Sequence, residues 1–109
     1  MEDCLFCQII ARKIPSNVIK ETNELVVFPD MNPSADVHLL IVPKEHIEGI
    51  QDVANRGDLL EQVYEMVNLL VKENNLGDNL YRVVVNGGKA QHVPHLHFHL
   101  LGGKWYKLV

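Results

Sequence analysis

At 109 residues, 47% of them hydrophobic and 22% charged, the chain has the size and composition of a single domain and is too apolar for disorder. Its formal charge of −4, with ten Lys and Arg scattered along the sequence, leaves no basic stripe for a phosphate backbone, so nucleic acid is not an expected partner. No apolar run is long enough to span a bilayer, and the acidic start Met1-Glu2-Asp3-Cys4 lacks the basic-then-apolar pattern of a secretory signal. A cytoplasmic protein without membrane association is expected.

Residues 4–10 suit a short helix that ends before Arg12-Lys13-Ile14-Pro15-Ser16, because the proline disfavours a helical conformation at Ile14. Extended segments follow at 18–21, 25–28 and 38–42. They are rich in β-branched and aliphatic residues and separated by the turn-prone Thr22-Asn23 and Asp30-Met31-Asn32-Pro33-Ser34.

Over 58–73, Leu60, Val63, Tyr64, Val67, Leu70 and Val71 recur at helical spacing. Asp58 with Glu61 reads as a capping box at the start, and Asn74-Asn75-Leu76-Gly77 as the stop. The aliphatic stripe is core rather than a cofactor site, and its natural partner is one face of a sheet. A further strand is expected at 81–86, and Gly87-Gly88-Lys89 returns the chain as a hairpin. Strands in succession around one substantial helix favour an α+β fold with an antiparallel sheet over a parallel doubly wound one.

In the run His95-Leu96-His97-Phe98-His99-Leu100-Leu101, every second residue up to His99 is histidine. On an extended strand the imidazoles share one face while Leu96, Phe98 and Leu100 take the other. A lone histidine there is ordinarily a solvated or hydrogen-bonded side chain. Half of the chain's six histidines fall within these few residues, and imidazole can act as nucleophile, proton donor or metal ligand near neutral pH. Cys4-X-X-Cys7, taken alone, is compatible with buried thiols, a redox pair or a zinc site.

The histidine run, preceded by Gln91-His92-Val93-Pro94 and followed by Gly102-Gly103, resembles the histidine-triad (HIT) superfamily. Further blocks extend the likeness over nearly the whole chain: Cys4-Leu5-Phe6-Cys7-Gln8-Ile9-Ile10, Phe28-Pro29-Asp30-Met31-Asn32-Pro33, His38-Leu39-Leu40-Ile41-Val42-Pro43-Lys44-Glu45-His46 and Tyr81-Arg82-Val83-Val84-Val85-Asn86. They are similar to the Hint branch, the purine nucleotide-binding histidine-triad proteins, in its cysteine-bearing bacterial form. The resemblance implies one HIT domain over residues 1–109, with a sheet of about five antiparallel strands, one long and one short helix, and pairing into a homodimer.

For function, the resemblance implies hydrolysis of purine nucleoside phosphoramidates, with release of AMP or GMP. His97 would be the nucleophile that forms a covalent nucleotidyl-histidine, assisted by His99 and His38. Asp30 would take the ribose hydroxyls, Phe6, Ile9, Phe28 and Met31 the base, and Asn86 a place near ribose and phosphate. Ala90, Gln91 and His92 belong to the loop whose backbone N–H groups would cradle the phosphate. Cys4, Cys7, His46 and His95 would hold a structural zinc ion in a closed tetrahedral site, which leaves no position for catalytic water.

Relatives that transfer nucleotides tend to carry glutamine where this chain has His99, which favours hydrolysis over transfer. A dinucleoside polyphosphate hydrolase of the same superfamily, and a nucleotide-binding regulator or scaffold with incidental turnover, are the competing readings. The chain departs from the Hint pattern in a phosphate loop about two residues shorter, with Ala90 in place of a common glycine and His92 in place of a small hydroxyl residue. Its ending is also short, and Trp105 is expected at a dimer contact.

Overall fold

Period-2 alternation divides the central strands into two apolar rows, and both rows are buried. The computed structural model describes residues 3–109, so the acidic start at Met1 and Glu2 lies outside the described residues. In chain order the elements are α1 (Leu5–Ile10), β1 (Lys20–Glu21), β2 (Leu25–Pro29), β3 (Ala35–Pro43), α2 (Gly57–Glu73), β4 (Tyr81–Val85) and β5 (Phe98–Trp105). The strands form one five-stranded sheet in the order β1-β2-β3-β5-β4, every neighbouring pair antiparallel. The expected α+β architecture with one long and one short helix is therefore present.

Leu25, Val27, Leu39 and Ile41 point to one face and join Leu96, Phe98 and Leu100 beneath α2. Val26, Phe28, Leu40 and Val42 point to the other, where Cys4, Phe6 and Ile9 cover them. Because both faces are covered, β2 and β3 read as nearly continuous apolar runs rather than as the half-polar strands of a one-sided sheet. Register carries this order into the histidine strand: Phe28 lies opposite Leu40, and Leu40 opposite His99. Residues opposite one another in an antiparallel pair share a face, so His99 belongs to the α1 side.

α2 buries Leu59, Val63, Met66, Val67 and Leu70, each contributing roughly 1.5–3 kcal/mol of apolar transfer. Its start differs from the expected capping box. The N-cap is Arg56, which makes no side-chain capping bond, and Asp58 sits inside the first turn bonded to the Arg56 guanidinium. That guanidinium also meets Glu24 and Glu45, which ties the helix start to the β2 and β3 ends.

The stop is also shifted. Asn75, not Gly77, takes the left-handed conformation (φ 56°), and Leu76 N–H donates to the Val71 carbonyl at 2.9 Å while Asn75 N–H donates to that of Lys72 at 3.2 Å. This is a Schellman closure, and it drives Leu76 into the core. Gly102 accommodates it, since a Cβ there would lie 2.6 Å from Leu76 Cδ2.

β1 is shorter than expected and β3 longer, while the link from Val85 to Phe98 is a long loop rather than a tight hairpin, with a 3-10 turn at Gly88–Ala90. Trp105 pairs with Ala35 and lies under the Arg82 guanidinium, 4.4 Å from its ring centroid. Among the described residues no helix is long and apolar enough to cross a membrane.

Candidate active site and metal centre

Regular pairing of the histidine strand begins only at Phe98, so His95 and His97 precede β5 rather than lie within it. Pro94 has no N–H to offer a ladder. Instead His95 Nε2–H donates to the Pro43 carbonyl at 2.7 Å, and Leu96 N–H to that of Ile47 at 2.7 Å. The alternation nevertheless persists, with Leu96 and Phe98 in the α2 core and His97 and His99 on the opposite side, their ring centroids 5.0 Å apart.

His95 turns away toward α1. Its Nδ1 lies 3.4 Å from Cys4 Sγ and 3.5 Å from Cys7 Sγ, while His46 Nδ1 lies 3.2 Å from Cys7 Sγ. The four ligand atoms are all within 4.8 Å of one another. A tetrahedral zinc with ordinary Zn–S and Zn–N bonds sets its ligands roughly 3.3–3.8 Å apart, so the residues fit the ion. The bond from His95 Nε2–H to Pro43 also fixes the tautomer, turning the Nδ1 lone pair to the sulfurs.

Cys4 caps α1, and its Sγ accepts from Cys7 N–H at 3.4 Å. Burial, then the hydrogen bond and charge of Cys4, push the Cys7 thiol up to about 11. Binding a divalent cation would therefore release protons. Two thiolates and two imidazoles would complete a tetrahedral coordination shell.

The remaining histidines form a proton-ordered chain. Ser34 N–H donates to His38 Nδ1 at 3.0 Å, which leaves the His38 proton on Nε2. That nitrogen stands 2.8 Å from His99 Nδ1 and donates to it, so His99 carries its own proton on Nε2. His99 Nε2 is buried without a hydrogen-bond partner, a donor waiting for an acceptor. His97 Nδ1–H donates to the His95 carbonyl at 2.7 Å, which makes Nε2 its lone-pair nitrogen.

Burial holds His38, His97 and His99 below their usual 6.5, His99 falling to about 4 with the charges of His97 and His38 adding to the effect. Burial thus favours the uncharged form of each ring. Asp30 Oδ2 is 3.5 Å from His38 Nε2, and Asp30, His38 and His99 are close enough together to suggest a second metal site. The Ser34 amide opposes that, because it keeps a proton rather than a lone pair on the His38 nitrogen nearest Asp30.

These rings open on a cavity of about 640 Å³. Of the residues singled out in the sequence, Phe6, Ile9, Phe28, Asp30, Met31 and His92 line it together with His38, His97 and His99. Asn86, Ala90 and Gln91 do not: the Gln91 amide donates to the Glu48 carbonyl at 2.8 Å, and the Asn86 amide nitrogen is buried without a partner. Sequence reasoning missed Leu40 and Val93, and alternation with His38 and the cross-strand pair with His99 is the signal that places Leu40 there. It also missed Lys107 and Leu108, for which no local pattern speaks.

Fold and site together define an α+β protein with a buried row of histidines over a ligand-sized cavity, flanked by a Cys₂His₂ cluster. A family model described as "Scavenger mRNA decapping enzyme C-term binding" matches residues 3–108. The crystal structure of a HIT family hydrolase from Legionella pneumophila Philadelphia 1 is 39% identical, with a TM-score of 0.90 and coverage of 94% of each chain. A 14 kDa zinc-binding protein of Zea mays is 37% identical over 105 residues, 92% of this chain and 81% of that protein. The histidine triad nucleotide-binding protein from Candida albicans is 35% identical, with a TM-score of 0.85 over 94% of this chain and 76% of that one. The chain belongs to the histidine-triad (HIT) family.

Proposed function

We propose that the protein hydrolyses purine nucleoside phosphoramidates to AMP or GMP and the free amine, acting through His97. The observation that carries this reading is the tautomer arrangement: a lone pair on His97 Nε2 beside an unpartnered N–H on His99 Nε2. Such a pair suits attack at phosphorus with simultaneous hydrogen bonding to a phosphoryl oxygen.

His97 Nε2 forms the N–P bond as the bond from phosphorus to the amine breaks, and the departing nitrogen takes a proton from solvent. Water then attacks phosphorus and gives up a proton to solvent, while the electron pair of the N–P bond returns to Nε2. His99 Nε2–H remains a hydrogen-bond donor to phosphoryl oxygen throughout, while His38 holds it in place. The cavity's apolar end at Phe6, Ile9 and Phe28 suits a purine, and the Asp30 carboxylate suits a vicinal ribose diol.

Zinc on Cys4, Cys7, His46 and His95 is read as structural, an assignment supported by the closed donor set. Pairing into a cytoplasmic homodimer is part of the same proposal. The outer edge of β4, with Leu80, Tyr81 and Val85 exposed, supports an edge-to-edge contact.

Steady-state turnover of an adenosine phosphoramidate tests the reading. Wild-type protein is expected to release AMP, His97→Ala to lose the activity, and mass spectrometry of the quenched reaction to find the nucleotidyl adduct on His97. Nucleotide binding with no His97-dependent turnover would favour a regulatory role instead, and preferential cleavage of a dinucleoside polyphosphate would favour that hydrolase class.

A further inference from the structure

The thiols of the metal cluster and one wall of the cavity are carried by the same short helix. α1 has six residues, with Cys4 as its N-cap and Cys7 within it. Phe6 lies between them in sequence and is 4% exposed. On the metal side its ring meets His95 edge-on at 5.9 Å; on the cavity side it meets His97 at 5.0 Å and Phe28 at 5.6 Å. One side chain thus touches a metal ligand, the proposed nucleophile and the proposed base pocket.

A helix this short is not stable by itself and takes its order from tertiary contacts. Those of α1 are the packing of Phe6 and Ile9 on Val26, Phe28, Leu40 and Val42, and the approach of Cys4 and Cys7 to His46 and His95. We propose that Phe6 is a positioning residue that couples the metal centre to the nucleotide cavity, so that zinc on the Cys₂His₂ cluster tightens purine nucleotide binding. The proposal rests on the nucleotide reading above. Zinc fixes α1 at its N-terminal turn and holds the Phe6 ring against His97 and Phe28. The nucleotide then meets a formed wall and does not bear the ordering cost itself.

Coupling of this kind is reciprocal: the factor by which zinc improves nucleotide affinity equals the factor by which nucleotide improves zinc affinity, expected here at about 5- to 100-fold. Zinc affinity of the full chain, from competition with a chromophoric chelator, is measured with and without saturating AMP. AMP affinity of the zinc-loaded and chelator-stripped protein is measured by calorimetry. Both routes should give the same factor, and the first does not require the stripped protein to keep its fold.

Phe6→Ala should reduce the factor to within about twofold of unity; the factor is a ratio taken within each protein, so any loss of zinc affinity without AMP cancels from it. Phe6→Leu, which keeps most of the buried volume, should show the same collapse if the alanine variant does not fold. Zinc affinity indifferent to AMP, in a protein that binds AMP, overturns the coupling alone, as does a full-sized factor in the Phe6 variants. Absence of AMP binding to the zinc-loaded protein overturns the nucleotide reading and the coupling with it.

Discussion

His38 donates from Nε2 to His99 Nδ1 across 2.8 Å, and this bond decides which nitrogen of His99 carries a proton into the cavity. The direction is set one step further back, by the backbone N–H of Ser34 on His38 Nδ1. A main-chain amide thus selects the tautomer of a ring two hydrogen bonds away.

The relay predicts that His38→Ala leaves the nucleophile intact but releases His99 from a single tautomer. Phosphoramidate turnover should fall in kcat by about 10- to 100-fold, with KM changed far less. Long-range ¹⁵N correlation spectra should show His99 wholly Nε2-protonated in the wild type and mixed in the variant. A variant that keeps the wild-type tautomer would remove His38 from this role.

Sequence reasoning reached the face-sorting of the histidines because period 2 survives even where the ladder does not: Leu96 and Phe98 enter the core although residues 95–97 lie outside β5. It placed Val63, Val67 and Leu70 of the α2 stripe for the same reason, since their burial depends only on spacing, whereas Tyr64 of that stripe is exposed and Leu59 and Met66 are buried in addition. What it misjudged depended on competing partners. Asp58 bonds Arg56 instead of capping, and Asn75 closes the helix before Gly77 is reached.

Lys107 and Leu108 reach the cavity through a chain path held by Tyr106 N–H on the Ser34 carbonyl at 2.6 Å and the Tyr106 hydroxyl on Asp36. No pattern among neighbouring residues encodes that path. The phosphate-loop residues Asn86, Ala90 and Gln91 came from family likeness, and in this chain they stand apart from the cavity lining.

Folding stability should depend on pH through His99. Burial lowers its pKa from 6.5 to about 4, so between these values the unfolded chain takes up a proton that the native state refuses. Stability then rises with pH across that window: it is fully present above 6.5 and is lost as pH falls toward 4. His38, also lowered by burial, acts with the same sign. Urea midpoints should drop between pH 7 and pH 5, and the slope should flatten in His99→Gln. A midpoint indifferent to pH in this range would contradict the burial of a neutral His99.

Metal removal should separate a structural from a chemical role for the Cys₂His₂ cluster. Cys4→Ser or chelation is expected to lower Tm by roughly 5–15 °C, corresponding to about 1–3 kcal/mol in a domain of this size. Far-ultraviolet circular dichroism should still report the sheet. Turnover should weaken chiefly through KM, because a closed ligand set supplies no water to the reaction. Loss of kcat to background with an unchanged melting curve would instead identify the ion as catalytic.

The contact between Gly102 and Leu76 should behave as a tightly coupled pair. A Cβ at position 102 would lie 2.6 Å and 2.7 Å from the two Leu76 methyls, and Leu76 is 3% exposed within the α2 core, with little room to swing away. Gly102→Ala is therefore expected to cost about 1–3 kcal/mol by overpacking. Leu76→Ala alone should cost about 2–4 kcal/mol by leaving a cavity. Combined, the added methyl enters space the leucine has vacated, so the double variant should be more stable than the sum of its parts by at least about 0.5 kcal/mol. Urea denaturation of the four proteins completes the cycle, and strict additivity would mean that the helix end and β5 adjust independently.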